Sequence, residues 1–422
     1  MKFKLSLLLL APLLAFSCSH GNRVPSSEGG LSLRPPVTHP DERAARQKVE
    51  DLLRLRYRAQ YHLNEFDRAL INDKGDDLFS IPGYAELQEA RAEIENAQHD
   101  ISATYIKARK ENNQRVIFGI QSALSEVQAD ASKKVMLNDL LVEMSQDLES
   151  EKPSSSEESL VAPFEGDALV NAAVDNEAKI SDNLNALMKD ASFMKQVTDA
   201  RKNADREPQS IAPSPGKSGN VTGNEFPSGV WAITYDDGPS GKTSPLVFQN
   251  LRTYGIPATF FWLAKNTAAM PGVVKQASGF ELANHSYTHA QLTKLGSAGL
   301  QKEIVKSTQV HTGVYGYRPK FFRLPYGAGV NSSKIRSLIA AQGMVHVFWN
   351  VDSLDWQDKN PPKIVNRVNL QMKARGRGVV LFHDIHPTTV TATKTLMQQW
   401  QAEKQQGKRR FLKMSDAIKL VP

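Results

Sequence analysis

The sequence predicts two architectures in one chain, a parallel α/β sheet or barrel over the second half and an all-α helical bundle or coiled coil before it. Three observations predict this. From residue 228 onward short apolar runs alternate with helix-like stretches; residues 41–205 carry helical period with almost no proline; and a Pro, Ser and Gly-rich linker, residues 206–227, divides the two.

The first 18 residues read as a secretory signal. Met1-Lys2-Phe3-Lys4 is a basic start, and Leu5 to Phe16 is an apolar stretch too short to span a bilayer, which takes about 20 helical residues. Cys18, the only cysteine of the chain, follows Leu14-Ala15-Phe16-Ser17 in a pattern similar to a bacterial lipoprotein cleavage site. A lone cysteine in an exported chain has no disulfide partner, so lipidation at Cys18 and a membrane anchor are expected, with plain cleavage as the alternative. The expected location is exported: periplasmic or secreted, with a lipid tie to a membrane. Residues 19–40, with Arg34-Pro35-Pro36, read as a flexible tether.

In the helical half, Leu52, Leu55, Ala59, His62, Phe66 and Ala69 fall at steps of three and four, which places them on one stripe. Leu87 to Ala108, Ile117 to Ala131 and Ile180 to Met194 repeat the pattern. Narrow stripes on long helices point to antiparallel packing. No chemistry is expected here; the half reads as a spacer or docking arm that binds a protein or wall partner, with His62 on the stripe and His99 in solvent.

Residues 228–422 hold 25 Lys+Arg against 10 Asp+Glu, whereas the first 227 residues hold 27 against 35. A basic second half suits an anionic polymer, wall glycan with peptide carboxylates or nucleic acid. Lys408-Arg409-Arg410 lacks the interleaved aromatics of a single-strand binder, so nucleic acid is not expected.

The second half opens with Val230-Trp231-Ala232-Ile233, a buried strand, followed by Thr234-Tyr235-Asp236-Asp237-Gly238-Pro239-Ser240. Adjacent aspartates at a strand end repel unless a cation or shared proton relieves them, so one suits a metal and the other proton transfer. Asp-Asp-Gly-Pro is also ordinary turn chemistry. Strands are expected at Ala258–Leu263, Met344–Trp349 and Gly378–Phe382, and helices near Leu300–Thr312, Ser332–Gln342 and Pro362–Ala374.

His285 and His289, four apart, can share one face of a helical turn; with Asp237 they make three ligands and leave a position open for water. Arg323 could hold Asp236 as a bidentate partner, and the turn at Pro325-Tyr326-Gly327 could aim an N–H at an oxyanion. His383, backed by a carboxylate, would be tuned as a proton donor near neutral pH. Trp356, if exposed, would give a sugar ring a flat apolar face.

Together and in this order, these five segments resemble the motifs of the polysaccharide deacetylase family, carbohydrate esterase family 4, over residues 228–422. The resemblance implies a distorted (β/α) barrel. It makes Asp236 the general base, Asp237, His285 and His289 the metal ligands, Arg323 the orienter of Asp236, the N–H of Tyr326 an oxyanion donor, and His383 the general acid tuned by Asp355. Trp356, Tyr326 and Leu381 would line the substrate groove. Tyr235 and Leu324 depart from the residues commonest at their positions, without changing a reacting group. Asp384 and His386 are expected in structural or rim roles, and His311 and His346 in the core or on the surface.

The expected activity is metal-dependent hydrolysis of N-acetyl groups from N-acetylglucosamine residues of an acetylated cell-wall glycan, with zinc the first choice and cobalt or nickel as alternatives. The rivals are an O-acetyl esterase or chitin-type deacetylase on the same site, and a wall-bound scaffold without catalysis.

Overall fold

The computed structural model describes residues 39–128 except 74 and 76, residues 136, 137, 140 and 144, and residues 220–421. The signal segment with Cys18, the stripe from Ile180 to Met194 and linker residues 206–219 lie outside the described residues.

Among the described residues, eight strands form one sheet: β1 (Val230–Asp236), β2 (Ala258–Trp262), β3 (Glu281–Asn284), β4 (Phe321–Phe322), β5 (Val345–His346), β6 (Val351–Asp352), β7 (Gly378–His383) and β8 (Arg410–Leu412). Their order is β5-β4-β3-β2-β1-β7-β6, with β8 beside the first residues of β1, and all pairs are parallel. No pairing joins β5 to β6 among the described residues, so the curled sheet is a distorted, open (β/α) barrel. β1 and β7 are buried along their whole length, as strands covered on both faces must be.

Strand alternation divides the core. Trp231, Ile233 and Tyr235 face outward with Phe260, Trp262 and Trp400, under the helices Ser244–Tyr254 and Pro387–Gln405. Val230 and Ala232 pack inward with Phe261, Ala283 and Leu381. Thr234 and Asp236 continue the inward series, so the period of two carries Asp236 into the barrel mouth.

The linker ends sooner than the sequence suggests. Val221 bridges to Val347, and Phe226 is fully buried, so residues 220–227 belong to the barrel. Val347 bonds back to Phe322 and Phe348 to Val221, which limits β5 to two residues where a six-residue strand is expected.

Before the barrel run α1 (Pro40–Leu70), α2 (Tyr84–Lys110) and α3 (Gln114–Gln128). Gly83 (φ 86°) admits the chain to α2, and a Cβ there would lie 2.5 Å from the carbonyl oxygen of His62, so α1 and α2 touch closely at their joint. The buried face of α1 runs through Leu52, Arg56, Ala59, Leu63, Phe66 and Leu70, rotated from the expected stripe through Leu55, His62 and Ala69. That rotation has a cause outside the helices: α1 and α2 share one apolar cluster with Phe348, Trp349, Leu354 and Trp356 of the barrel. Arg367 clamps the joint, donating from Nε and Nη2 to the two oxygens of Asp67 at 2.6 and 2.8 Å. The helices are therefore packed on the barrel, where the sequence alone suggests a spacer or docking arm. Among the described residues no helix is long and apolar enough to cross a membrane.

Candidate active site

Parallel register brings the sequence motifs together. Asp236, the last residue of β1, pairs in register with His383, the last of β7, so the two strand ends place a carboxylate beside an imidazole. Asp237 turns the chain away at φ 73°. Gly238 follows because nothing larger fits: a Cβ there would come within 2.5 Å of Trp262 Nε1 and closer still to Asp384 Oδ1.

β3 ends at Asn284, and His285 to His289 form an irregular turn with Ser286 and His289 at φ 79° and 69°, not the helical turn expected. Two buried side chains shape it. Asn284 Oδ1 accepts the Ser286 N–H at 2.8 Å, and Glu303 Oε2 accepts the N–H groups of Tyr287 and Thr288 at 2.9 and 2.8 Å. The result is two imidazoles 4.9 Å apart by ring centroid.

Asp237, His285 and His289 each offer one atom, all within 4.8 Å of one another, and all three residues are buried. Nε2 of His285 and Nε2 of His289 each lie 3.4 Å from Asp237 Oδ1. Among the described residues, Asp237 Oδ1 and His289 Nε2 have no hydrogen-bond partner. Buried polar atoms left so are uncommon, and one carboxylate with two imidazoles is a donor set a divalent cation takes; the residues fit a metal. His285 Nδ1 sits 2.9 Å from the carbonyl of Arg323 and donates to it, which directs Nε2 at the cluster.

Arg323 is fully buried, its guanidinium over the Phe261 ring at 4.1 Å. Nη1 donates to Asp236 Oδ1 at 2.7 Å and to Thr234 at 2.9 Å, while Nη2 goes to the Phe348 carbonyl at 3.1 Å. One arm, not two, holds Asp236, because the second is committed to the backbone. Burial alone lowers the Arg323 pKa, and Asp236 opposes that shift.

His383 is bound twice to Asp355, through its N–H to Oδ2 at 2.9 Å and through Nδ1 to Oδ1 at 2.5 Å; Thr389 completes Oδ2 at 2.6 Å. Burial works against the imidazolium, but the Asp355 charge outweighs it and raises the His383 pKa. Burial likewise opposes ionisation of Asp355, and His383 overcomes it, holding that carboxyl well below its usual range.

The helical half supplies what the sequence reading missed. Arg91 of α2 donates to Asp237 Oδ2 at 2.9 Å and to His383 Nε2 at 2.8 Å. Its Nε donates to Glu95 Oε1 at 2.9 Å, and Glu95 Oε2 accepts from His289 Nδ1 at 2.7 Å and from the Tyr326 hydroxyl. Tyr84 and Gln88 on the same face reach Asp352 Oδ2 at 2.8 and 3.2 Å. Burial opposes the charge of Asp237, yet His289 and Arg91 hold its carboxyl well below the ordinary value. The only trace in the sequence is the spacing Tyr84, Gln88, Arg91, Glu95, a second stripe on α2; polar residues at such steps read as a solvated face.

One further expectation changes. Trp356 is 5 % exposed, covered by α2 with the Arg91 guanidinium 5.7 Å from its ring, so in this arrangement it offers no open face to a sugar. Leu381 is buried among the inward residues of the barrel. Asp384 is structural, as expected: it accepts from Ser244 and Trp262, and burial pushes its carboxyl up to about 7. His311 and His346 lie in the core, both lowered to about 3 by burial.

The family described as polysaccharide deacetylase matches residues 223–347. The chain is 34% identical over 168 residues to the peptidoglycan-N-acetylglucosamine deacetylase PgdA of Listeria monocytogenes, covering 39% of this chain and 34% of that one. It is 35% identical over 172 residues to the peptidoglycan-N-acetylmuramic acid deacetylase PdaC of Bacillus subtilis, covering 40% and 35%. A chitooligosaccharide deacetylase of Bradyrhizobium is 30% identical over 158 residues, 37% of this chain and 70% of that one. The chain thus spans about a third of the length of the Listeria and Bacillus relatives.

Proposed function

Since this chain belongs to the polysaccharide deacetylase family, carbohydrate esterase family 4, we propose that its barrel hydrolyses N-acetyl groups of N-acetylglucosamine residues in peptidoglycan, releasing acetate and leaving the free amine. The observation that carries the reading is the buried meeting of Asp237, His285 and His289 beside Asp236 and His383. The names of the Listeria and Bacillus relatives and the basic charge of residues 228–422 support peptidoglycan as the polymer.

Asp237, His285 and His289 would hold a divalent cation, zinc first by its preference for this donor set, which when bound polarises the acetamide carbonyl and acidifies water. The remaining work belongs to the chain. Asp236, steadied by the single Arg323 arm, takes a proton from the attacking water. The Tyr326 N–H would donate to the oxyanion as the carbonyl becomes tetrahedral. His383 carries a proton on Nε2 to the departing nitrogen, and Asp355 keeps Nδ1 protonated and the ring aimed. The C–N bond breaks, and the products are acetate and the glucosamine amine. Export by the signal segment, with or without lipidation at Cys18, would bring the enzyme within reach of such a wall.

The test is acetate release from purified sacculi, N-acetylchitotetraose and acetylxylan, before and after chelation and with zinc restored. Metal-dependent release from sacculi supports the reading. Release from acetylxylan alone would sink it in favour of an O-acetyl esterase.

A further inference from the structure

We propose that α2 is a working wall of the catalytic site, with Glu95 as the positioning residue for His289 and Arg91 as an internal occupant of the slot the acetamide must enter. Both residues lie far outside the segment that matches the family, residues 223–347.

Glu95 is placed to fix the second imidazole. An imidazole that gives its Nδ1 proton to a carboxylate presents a bare Nε2, and the Glu95 contact at 2.7 Å leaves His289 Nε2 facing Asp237 Oδ1. The backbone carbonyl of Arg323 does the same for His285. The Tyr326 hydroxyl and Arg91 Nε hold Glu95 in turn, so its orientation is set by three partners.

Arg91 stands where a substrate would. Its guanidinium lies between the rings of Tyr326 and Trp356, 5.8 and 5.7 Å from their centroids. A guanidinium has no acceptor, so the N–H at 2.8 Å takes the His383 Nε2 lone pair that faces the leaving nitrogen. Asp236, His285 and His383 are all 2 % exposed or less. On this proposal a polymer reaches atoms so enclosed only when the guanidinium withdraws and gives up its bonds to Glu95, Asp237 and His383. The Arg91 half of the inference rests on the deacetylase reading; the Glu95 half rests on the metal cluster alone.

The two residues predict opposite results, which a purely structural role for α2 would not give. In the full chain, zinc affinity is measured by chelator competition, and N-acetylchitotetraose affinity by calorimetry on an Asp236→Asn background. Glu95→Gln should weaken zinc about 10- to 100-fold, the loss typical of an outer-shell partner. Arg91→Met should weaken zinc far less than Glu95→Gln, because His289 and Tyr326 still hold Glu95, and tighten the tetraose about fivefold or more, because the binding-competent fraction rises; Arg91→Lys is a second variant should that one fold poorly. Zinc affinity unchanged in Glu95→Gln, tetraose affinity unchanged or weaker in the Arg91 variants, or all ligands weakened together would each overturn the inference. Acetate release separates the two readings. Tighter binding without acetate from any form sinks the deacetylase reading and leaves the wall standing; acetate release with binding unmoved by Arg91→Met keeps the deacetylase and removes the wall.

Discussion

Arg91 and His383 are 292 positions apart in sequence and 2.8 Å apart in the folded chain. That contact joins the helical half to the strand end on which a proton donor would work, so the two halves share one site.

His383 owes its raised pKa to Asp355 across a 2.5 Å contact, against the cost of burial. Removing that charge lets burial win and lowers the pKa. If His383 must be protonated to release the amine, Asp355→Asn should move the alkaline limb of the kcat/KM profile to lower pH. It should also reduce kcat about 10²- to 10⁴-fold, the usual weight of a positioned acid. Profiles of wild type and variant on N-acetylchitotetraose check both effects.

Asp236 and Asp237 are neighbours with different partners, Arg323 for one and the imidazole pair for the other. Asp236→Asn should therefore abolish acetate release while still binding one zinc per chain. Asp237→Ala should lose the zinc as well. Metal content after dialysis separates them, and equal retention of zinc would remove Asp237 from the ligand set.

Asp384 gives a stability prediction with a definite sign. Burial raises its folded pKa to about 7, so the folded chain holds a proton that the unfolded chain releases in the ordinary carboxylate range. The stabilisation from this proton is complete at low pH and disappears as pH rises through about 7. Wild type should thus lose stability relative to Asp384→Asn over that interval, seen as a widening difference in Tm; a constant difference would contradict it.

Asp67 is the outer half of the clamp on Arg367, and its side chain is 32% exposed. With solvent screening, and with Asp358 still holding Arg367 at 2.6 Å, Asp67→Ala should cost about 1 kcal/mol. Urea unfolding of the pair of proteins measures it.

Removal of residues 40–128 should not yield a tidy soluble barrel. Phe348, Trp349 and Trp356, each 8 % exposed or less under the helices, would be bared as one apolar patch. Increased dye binding and aggregation in light scattering are expected; a monodisperse, fully stable remainder would mean that the packing of α1 and α2 contributes little.

Much of the site was legible because its chemistry sits in short segments at strand ends. Asp236-Asp237, His285 with His289, Arg323 and His383 each lie at or just after the end of a strand, and parallel pairing must bring such ends to one rim. The sequence by itself therefore pointed to the barrel and to the grouping of Asp237 with His285 and His289, and the family resemblance added the pairing of His383 with Asp355. The sequence could not decide the turn at His285–His289, the single arm of Arg323 or the burial of Trp356, since each depends on which backbone or side chain arrives from elsewhere. Least visible were Arg91 and Glu95. On an isolated helix they are a charged pair four residues apart, the same whether water or a catalytic cleft lies beside them. Only the packing of α2 against the barrel chose between those surroundings, because the fold fixes which helix face is enclosed.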